Sequence, residues 1–216
     1  MAEFIDIDFG TVENSHIDEK FDLVNKALNS GELIAFPTDT VYGLGCNIED
    51  EGAVSNIFNL KKRAENKPLG AYLGLENWND KINQISDNIP DTFYKLSEKF
   101  LPGPLTLIIP RRENFATLAT SNSKGIAIRN PNHKSLLSFL SSYEGIIAGT
   151  SLNLSGEKPL NNPDEIQEIF GHEIKYILTS EQRFSSTAST VLDLTQNEVK
   201  LLREGDIHWN SVRELI

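Results

Sequence analysis

One cysteine, Cys46, is all the thiol chemistry in this chain of 216 residues. An internal disulfide is therefore excluded, and the usage fits a reducing compartment. With no histidine near it in sequence, Cys46 reads as a small buried side chain and not as a nucleophile. Long apolar runs are missing as well, so no membrane span is expected. The acidic start, MAEFIDIDFG, lacks the basic and apolar regions of a signal peptide, and a cytoplasmic location is expected. Linker-like segments, internal repeats and low-complexity tracts are all lacking, which points to a single domain over residues 1–216. Positive charge is short: 20 Lys and Arg stand against 31 Asp and Glu, a net charge of −11. Such a surface repels nucleic acid as a whole, so an RNA contact needs a local basic patch. The densest candidate is Lys61, Lys62, Arg63 and Lys67, which equally fits the solvated end of a helix.

The familiar catalytic signatures are missing too. There is no G-x-x-x-x-G-K-[ST], and GLGCNI at 43–48 lacks the third glycine of a dinucleotide fingerprint. No H-E-x-x-H and no cysteine pair offers a zinc site, and His16, His133, His172 and His208 are scattered. A triad or a metal centre has no support, and His133 reads as a surface or packing residue.

What remains is a strong alternation of helical and extended patterns. Phe21, Val24 and Leu28 mark an amphipathic helix stopped by Gly31, followed by a strand at 32–36. Val54, Ile57 and Phe58 mark a second helix, with a strand at 68–74 after it. Phe93, Leu96 and Phe100 mark a third, followed by a β-prone run at 105–109. Strands are expected at 126–129 and 146–150, with a helix carrying Leu136, Leu137 and Leu140 between them. A helix at 164–170 and strands at 175–179, 189–194 and 198–203 complete the pattern. Helices and strands in alternation, with consecutive late strands, imply an α/β fold around a mixed sheet.

Several apolar runs end in polar, glycine-rich punctuation. In GELIAFPTDTVYGLG (31–45), Pro37 ends a strand, Thr38, Asp39, Thr40 and Tyr42 supply donors and acceptors, and Gly43 and Gly45 permit positive φ or close approach of a ligand. An ordinary turn fits this segment equally well. Lys61 and Arg63 suit phosphate contacts or a helix-end charge cluster. Ser151, Asn153 and Ser155 alternate, so an extended backbone points all three one way and Leu154 the other; a polar turn is the alternative. Arg129 and Arg203 each close a strand, as solvated caps or, with Ser189 and Thr190 opening another strand, as convergent ligands at one sheet edge.

These segments, together with LKKRAENKPLG (60–70), LPGPLTLIIP (101–110), GIAIRNPNH (125–133), GTSLNLSG (149–156), STVLDL (189–194) and LLREGDI (201–207), resemble in order and spacing the YrdC/YciO family of threonylcarbamoyl-AMP synthases. The likeness runs from about Phe21 to Ile207. It implies one short YrdC-like domain, a twisted mixed sheet with flanking helices and a large open cavity. It further implies formation of threonylcarbamoyl-AMP and pyrophosphate from L-threonine, bicarbonate and ATP, for N6-threonylcarbamoylation of adenosine 37 in tRNA. By the same resemblance Lys61 and Arg63 act on the phosphates, with Mg²⁺ sharing their charge. Arg63, Lys67, Asn153, Asn161 and Arg203 hold ATP, and Thr40, Tyr72, Arg129, Ser151 and Ser189 hold threonine. The chain departs from the family at Lys67, where Asn is usual, and at Tyr72, where a threonine-binding His is usual. tRNA-modification proteins are the implied partners, with a weak RNA contact through the basic patch. The competing readings are a YciO-like paralogue of weak or different ligase activity and a module binding structured RNA.

Overall fold

The computed structural model describes residues 1–8, 14–76, 78–182, 185 and 187–216, with the side chains of 14–17, His16 among them, outside the description. In chain order the elements are β1 (Glu3–Asp6), α1 (Asn14–Asn29), β2 (Ile34–Phe36), β3 (Gly43–Asn47), α2 (Glu51–Leu60), β4 (Gly70–Tyr72), α3 (Trp78–Ile85), α4 (Asp91–Phe100), β5 (Leu105–Pro110), β6 (Gly125–Arg129), α5 (Lys134–Ser142), β7 (Ile147–Ser151), α6 (Pro163–Phe170), β8 (Tyr176–Thr179), β9 (Thr190–Asp193), β10 (Lys200–Arg203) and α7 (Trp209–Arg213).

Local chemistry sets their ends. Gly31 stands at φ +80° just past α1, the left-handed position that glycine takes without a Cβ penalty. The Asp50 carboxylate accepts from Ala53 N at 2.9 Å to start α2. Asn162 accepts from Asp164 N at 2.8 Å ahead of Pro163, which needs no backbone donor at the first helical position.

The ten strands of the described residues lie in one sheet, ordered β1-β8-β2-β3-β7-β4-β6-β5-β9-β10. It is mixed, as the sequence predicts: β1–β8, β8–β2, β4–β6 and β5–β9 are parallel and the remaining neighbours antiparallel.

Alternation sends side chains to two different cores. On one face Ala35, Leu44, Cys46, Ala71, Leu107 and Ile128 pack with Ile57 of α2, Ile82 of α3, Phe93 of α4, Ile166 of α6 and Val212 of α7. On the other, Ile34, Phe36, Tyr72, Ile147 and Tyr176 pack with Phe21, Val24 and Leu28 of α1 and Leu136, Phe139 and Leu140 of α5. This second core takes no residue from β5, β6, β9 or β10. Helical cover on that face stops part-way across the sheet, and the remainder carries Arg129, Thr106 and Arg203 beside the half-buried Ala127, Ile108 and Val191.

Strand β3 departs from expectation: residues read as a glycine-rich ligand loop are a buried central strand. Neither Gly43 nor Gly45 has positive φ. A Cβ on Gly43 would stand 2.6 Å from Phe36 Cε2, and one on Gly45 would stand 2.7 Å from both Phe36 Cε1 and Ile147 Cγ2. The glycines make room for the Phe36 ring. β1, α3 and α7 are further elements that the sequence reading did not anticipate.

Candidate active site

Five strands place one residue each in a single row across the partly uncovered face. Tyr72 pairs with Arg129, Arg129 with Thr106, Thr106 with Val191, and Val191 with Arg203. Directly paired residues present their side chains to the same face. A bulge in β10 brings Arg203 opposite Val191, where regular pairing would set Leu202. Leu202 is left 50% exposed.

The row is tied to the loop after β2. Arg129 Nη2 donates to Asp39 Oδ1 at 2.8 Å, a pair whose side chains are only 6% and 10% exposed. Arg129 also reaches Leu105 O at 3.4 Å and Thr40 Oγ1 at 3.5 Å. Thr38 shapes the loop: its hydroxyl accepts from Thr40 N at 3.0 Å and Val41 N at 3.1 Å and donates to Val41 O at 2.6 Å. On the far side, Arg203 donates from Nε to Ser189 O at 3.0 Å and from Nη2 to Ser189 Oγ at 3.2 Å, and Ser189 Oγ lies 2.8 Å from Thr106 Oγ1. Thr40, Tyr72, Arg129, Ser189 and Arg203 thus come together in one cluster, although the resemblance assigns Arg203 to the nucleotide and the other four to threonine. Asp39, named above as one of the polar residues of its loop, joins them, and Thr106 is an addition whose available signal was a hydroxyl inside the otherwise apolar run LTLII.

Electrostatics at this cluster favour an anion. Burial, with the charge of Arg129 second, lowers the Arg203 pKa, so two guanidinium groups crowd one another beside a single paired carboxylate. Burial raises the Tyr72 phenol, against the opposing field of Arg129, so it stays protonated and able to donate. The Tyr72 ring meets Phe36 edge-on at 5.1 Å and lies where a Cβ on Gly149 would be, 2.7 Å from its Cε2. Gly45, Gly149 and Gly70 stand in register, leaving a strip of sheet without side chains of its own.

A second cluster forms at the end of β7. Ser151 is two residues beyond Gly149, over which the Tyr72 ring lies, and on the same face, about 7 Å along the strand at an extended rise. Lys61, at the C-cap of α2, donates from Nζ to Ser151 O and Asn153 O at 2.5 Å each and to Asn153 Oδ1 at 2.9 Å. Only 1% of Lys61 is exposed, which overturns its reading as a solvated helix end. Ser151 Oγ donates to Asn153 Oδ1 at 2.8 Å, and Asn153 Nδ2 donates to Leu154 O and Glu157 O. Asn161 Oδ1 accepts from Tyr42 N at 3.3 Å, joining the next loop to that of Thr38–Thr40. Arg63 donates to Lys67 O at 2.8 Å and Pro68 O at 2.9 Å, while Lys67 itself is exposed. Lys62 is exposed with φ 50°.

The expected alternation through 151–155 does not hold. The strand ends at Ser151, because the Asn153 side chain bonds to nearby backbone and turns the chain. Leu152 is the fully buried leucine, Leu154 only partly buried and Ser155 exposed. Cys46 is buried and its thiol pKa is pushed up by that burial, in keeping with a packing role. His133 is not on the surface: fully buried, it caps α5 by accepting at Nδ1 from Leu136 N at 3.2 Å, and Nε2 has no partner.

Comparison with known proteins bears directly on this arrangement. The Sua5/yciO/yrdC family model, described as Telomere recombination, matches residues 26–205. The chain belongs to the Sua5/YciO/YrdC family. The threonylcarbamoyl-AMP synthase of Pyrococcus abyssi is 33% identical over 189 residues, 88% of this chain and 55% of that protein. The crystal structure of P. abyssi Sua5 complexed with L-threonine superposes with a TM-score of 0.89 at 31% identity, over 100% of this chain and 61% of that one. E. coli YciO, at 21% identity, shares the fold with a TM-score of 0.82 over the full length of both chains. The chain thus spans little more than half the length of its Pyrococcus relative. For a family member, the two polar clusters mark the candidate site. The expected architecture, a twisted mixed sheet with flanking helices, is the family fold. No helix among the described residues is long and apolar enough to cross a membrane.

Proposed function

We propose that the chain is an L-threonylcarbamoyladenylate synthase working as one YrdC-like domain in the cytoplasm, with L-threonine, bicarbonate and ATP as substrates. The observation that carries the reading is the Tyr72–Arg129–Thr106–Arg203 row beside Ser189, a cationic, hydroxyl-rich stretch of sheet face, in a chain 31% identical to a threonine-bound Sua5. Thr40, Tyr72, Arg129, Ser151 and Ser189 hold the amino acid. Arg63, Lys67, Asn153, Asn161 and Arg203 hold ATP; Lys61, expected to act on the phosphates beside Arg63, has its ammonium group engaged by Ser151 O, Asn153 O and Asn153 Oδ1 and braces the wall of that site instead.

In the reaction the threonine amine adds to bicarbonate, water leaves, and a carbamate oxygen attacks the α-phosphorus while the bond to the β-phosphate breaks. The protein's part is to align two anions, spread phosphate charge and keep water out. Its guanidinium groups and the buried Tyr72 donor suit that work. No group of three or more His, Cys, Asp or Glu able to hold a metal exists among the described residues. Mg²⁺ bound with the nucleotide would supply further positive charge beside Arg63 and Arg203. The product serves N6-threonylcarbamoylation of tRNA adenosine 37, with tRNA-modification proteins as partners and a weak RNA contact through Lys62, Arg63 and Lys67.

The test is ATP turnover that requires both threonine and bicarbonate and yields a carbamoyl-adenylate by mass. Arg63→Ala is expected to weaken ATP binding tenfold to a hundredfold, about 1.5–3 kcal/mol, with the melting temperature nearly unchanged. Unaltered ATP affinity would remove Arg63 from the nucleotide site.

Tyr72 favours one alternative, a YciO-like paralogue with nucleotide or RNA binding and weak or different ligase activity. Tyr72→His is expected to raise kcat/KM for threonine several-fold without altering KM for ATP, because imidazole relieves the bulk of the phenol. A wild type inactive on threonine, with no gain in Tyr72→His, would replace the synthase reading by this alternative.

A further inference from the structure

Among the described residues of the Tyr72–Arg129–Arg203 cluster, Asp39 is the one carboxylate, and only half of it is used. Oδ1 accepts from Arg129, whereas Oδ2 is buried and has no hydrogen-bond partner. Burying a carboxylate oxygen without a donor is unfavourable, so such an atom marks a place where a ligand supplies one. The neighbouring Arg129 and Arg203 suit the carboxylate of an amino acid but repel its ammonium group. An α-amino acid therefore needs a local anion on the amine side, and Asp39 stands beside both Arg129 and Tyr72.

We propose that Asp39 Oδ2 accepts a hydrogen bond from the amino nitrogen of the substrate amino acid, making Asp39 the residue that selects for an α-amine. The inference rests on the synthase reading above. The contact outlasts carbamoylation, since ammonium before it and carbamate N–H after it both donate. Arg129 and Asp39 then form a complementary pair for a zwitterion, one charge for each end.

Calorimetric titration of the purified full chain with L-threonine and with 3-hydroxybutyrate tests this, because the second ligand keeps the carboxylate and hydroxyl but lacks the amine. Wild type is expected to prefer threonine by about a hundredfold or more. Asp39→Asn and Asp39→Glu are expected to cut that preference below about tenfold, while affinity for 3-hydroxybutyrate changes less than about threefold. Asp39→Glu keeps the charge beside Arg129, so it carries the test if Asp39→Asn fails to fold. A preference that survives in a folded variant overturns the proposal. If wild type binds no threonine, the synthase reading falls and this inference with it.

Discussion

Lys61→Met is expected to cost about 2–4 kcal/mol of stability and to abolish measurable adenylate formation. The ammonium group of Lys61 is the common donor to Ser151 O, Asn153 O and Asn153 Oδ1. Methionine keeps the length of the stem and removes every donor, leaving the two carbonyls unpaired at roughly 1–3 kcal/mol each. Asn153 then loses the anchor that sets its amide, and the turn closing β7 loses its shape. Burial, followed by the charge of Arg63, pulls the Lys61 pKa from 10.5 down to about 7. The three oxygens oppose that shift without cancelling it. With the folded pKa below the unfolded one, the unfolded chain binds more protons between about pH 7 and 10, so wild type gains stability as pH rises through that window. Lys61→Met lacks this gain, and the gap between the two proteins widens toward pH 10 in urea melts. A gap that is flat with pH, or a variant as stable as wild type, would show that Nζ is solvated in solution.

Much of the fold was legible because it follows hydrophobic period. Phe21, Val24 and Leu28 gave α1, and the run LTLII gave β5, since in each case the buried face is written directly in the spacing. β3 was not legible. GLGCN has the composition of a loop, and its glycines are explained by the Phe36 ring that lies across them and, at Gly45, by Ile147 of the other neighbouring strand, contacts made between strands. The site was half legible for a similar reason. Arg129 and Arg203 stood out as charges closing apolar strands, but their alignment depends on a bulge in β10 and on Thr106 between them. Lys61 was singled out as a charge beside Arg63, yet its burial follows from β7 passing the end of α2. Nothing within LKKRAENKPLG carries that information.

Arg129→Met is expected to be the most destabilising substitution at the cluster, at about 3–5 kcal/mol. Removing the guanidinium leaves the Asp39 carboxylate buried with neither oxygen compensated, and breaking one side of a buried pair costs more than removing both. Arg129→Met combined with Asp39→Asn should therefore recover most of the stability, giving a coupling of about 2 kcal/mol or more in a double-mutant cycle. Threonine binding should not return with it, since the double variant offers neither the cation for the substrate carboxylate nor the anion for its amine. Stability and binding would then separate: the pair is dispensable for the fold once both charges are gone, and required for the ligand. A loss of only about 1 kcal/mol in Arg129→Met would mean that water reaches Asp39, and the zwitterion-binding role of the pair would lose its physical basis.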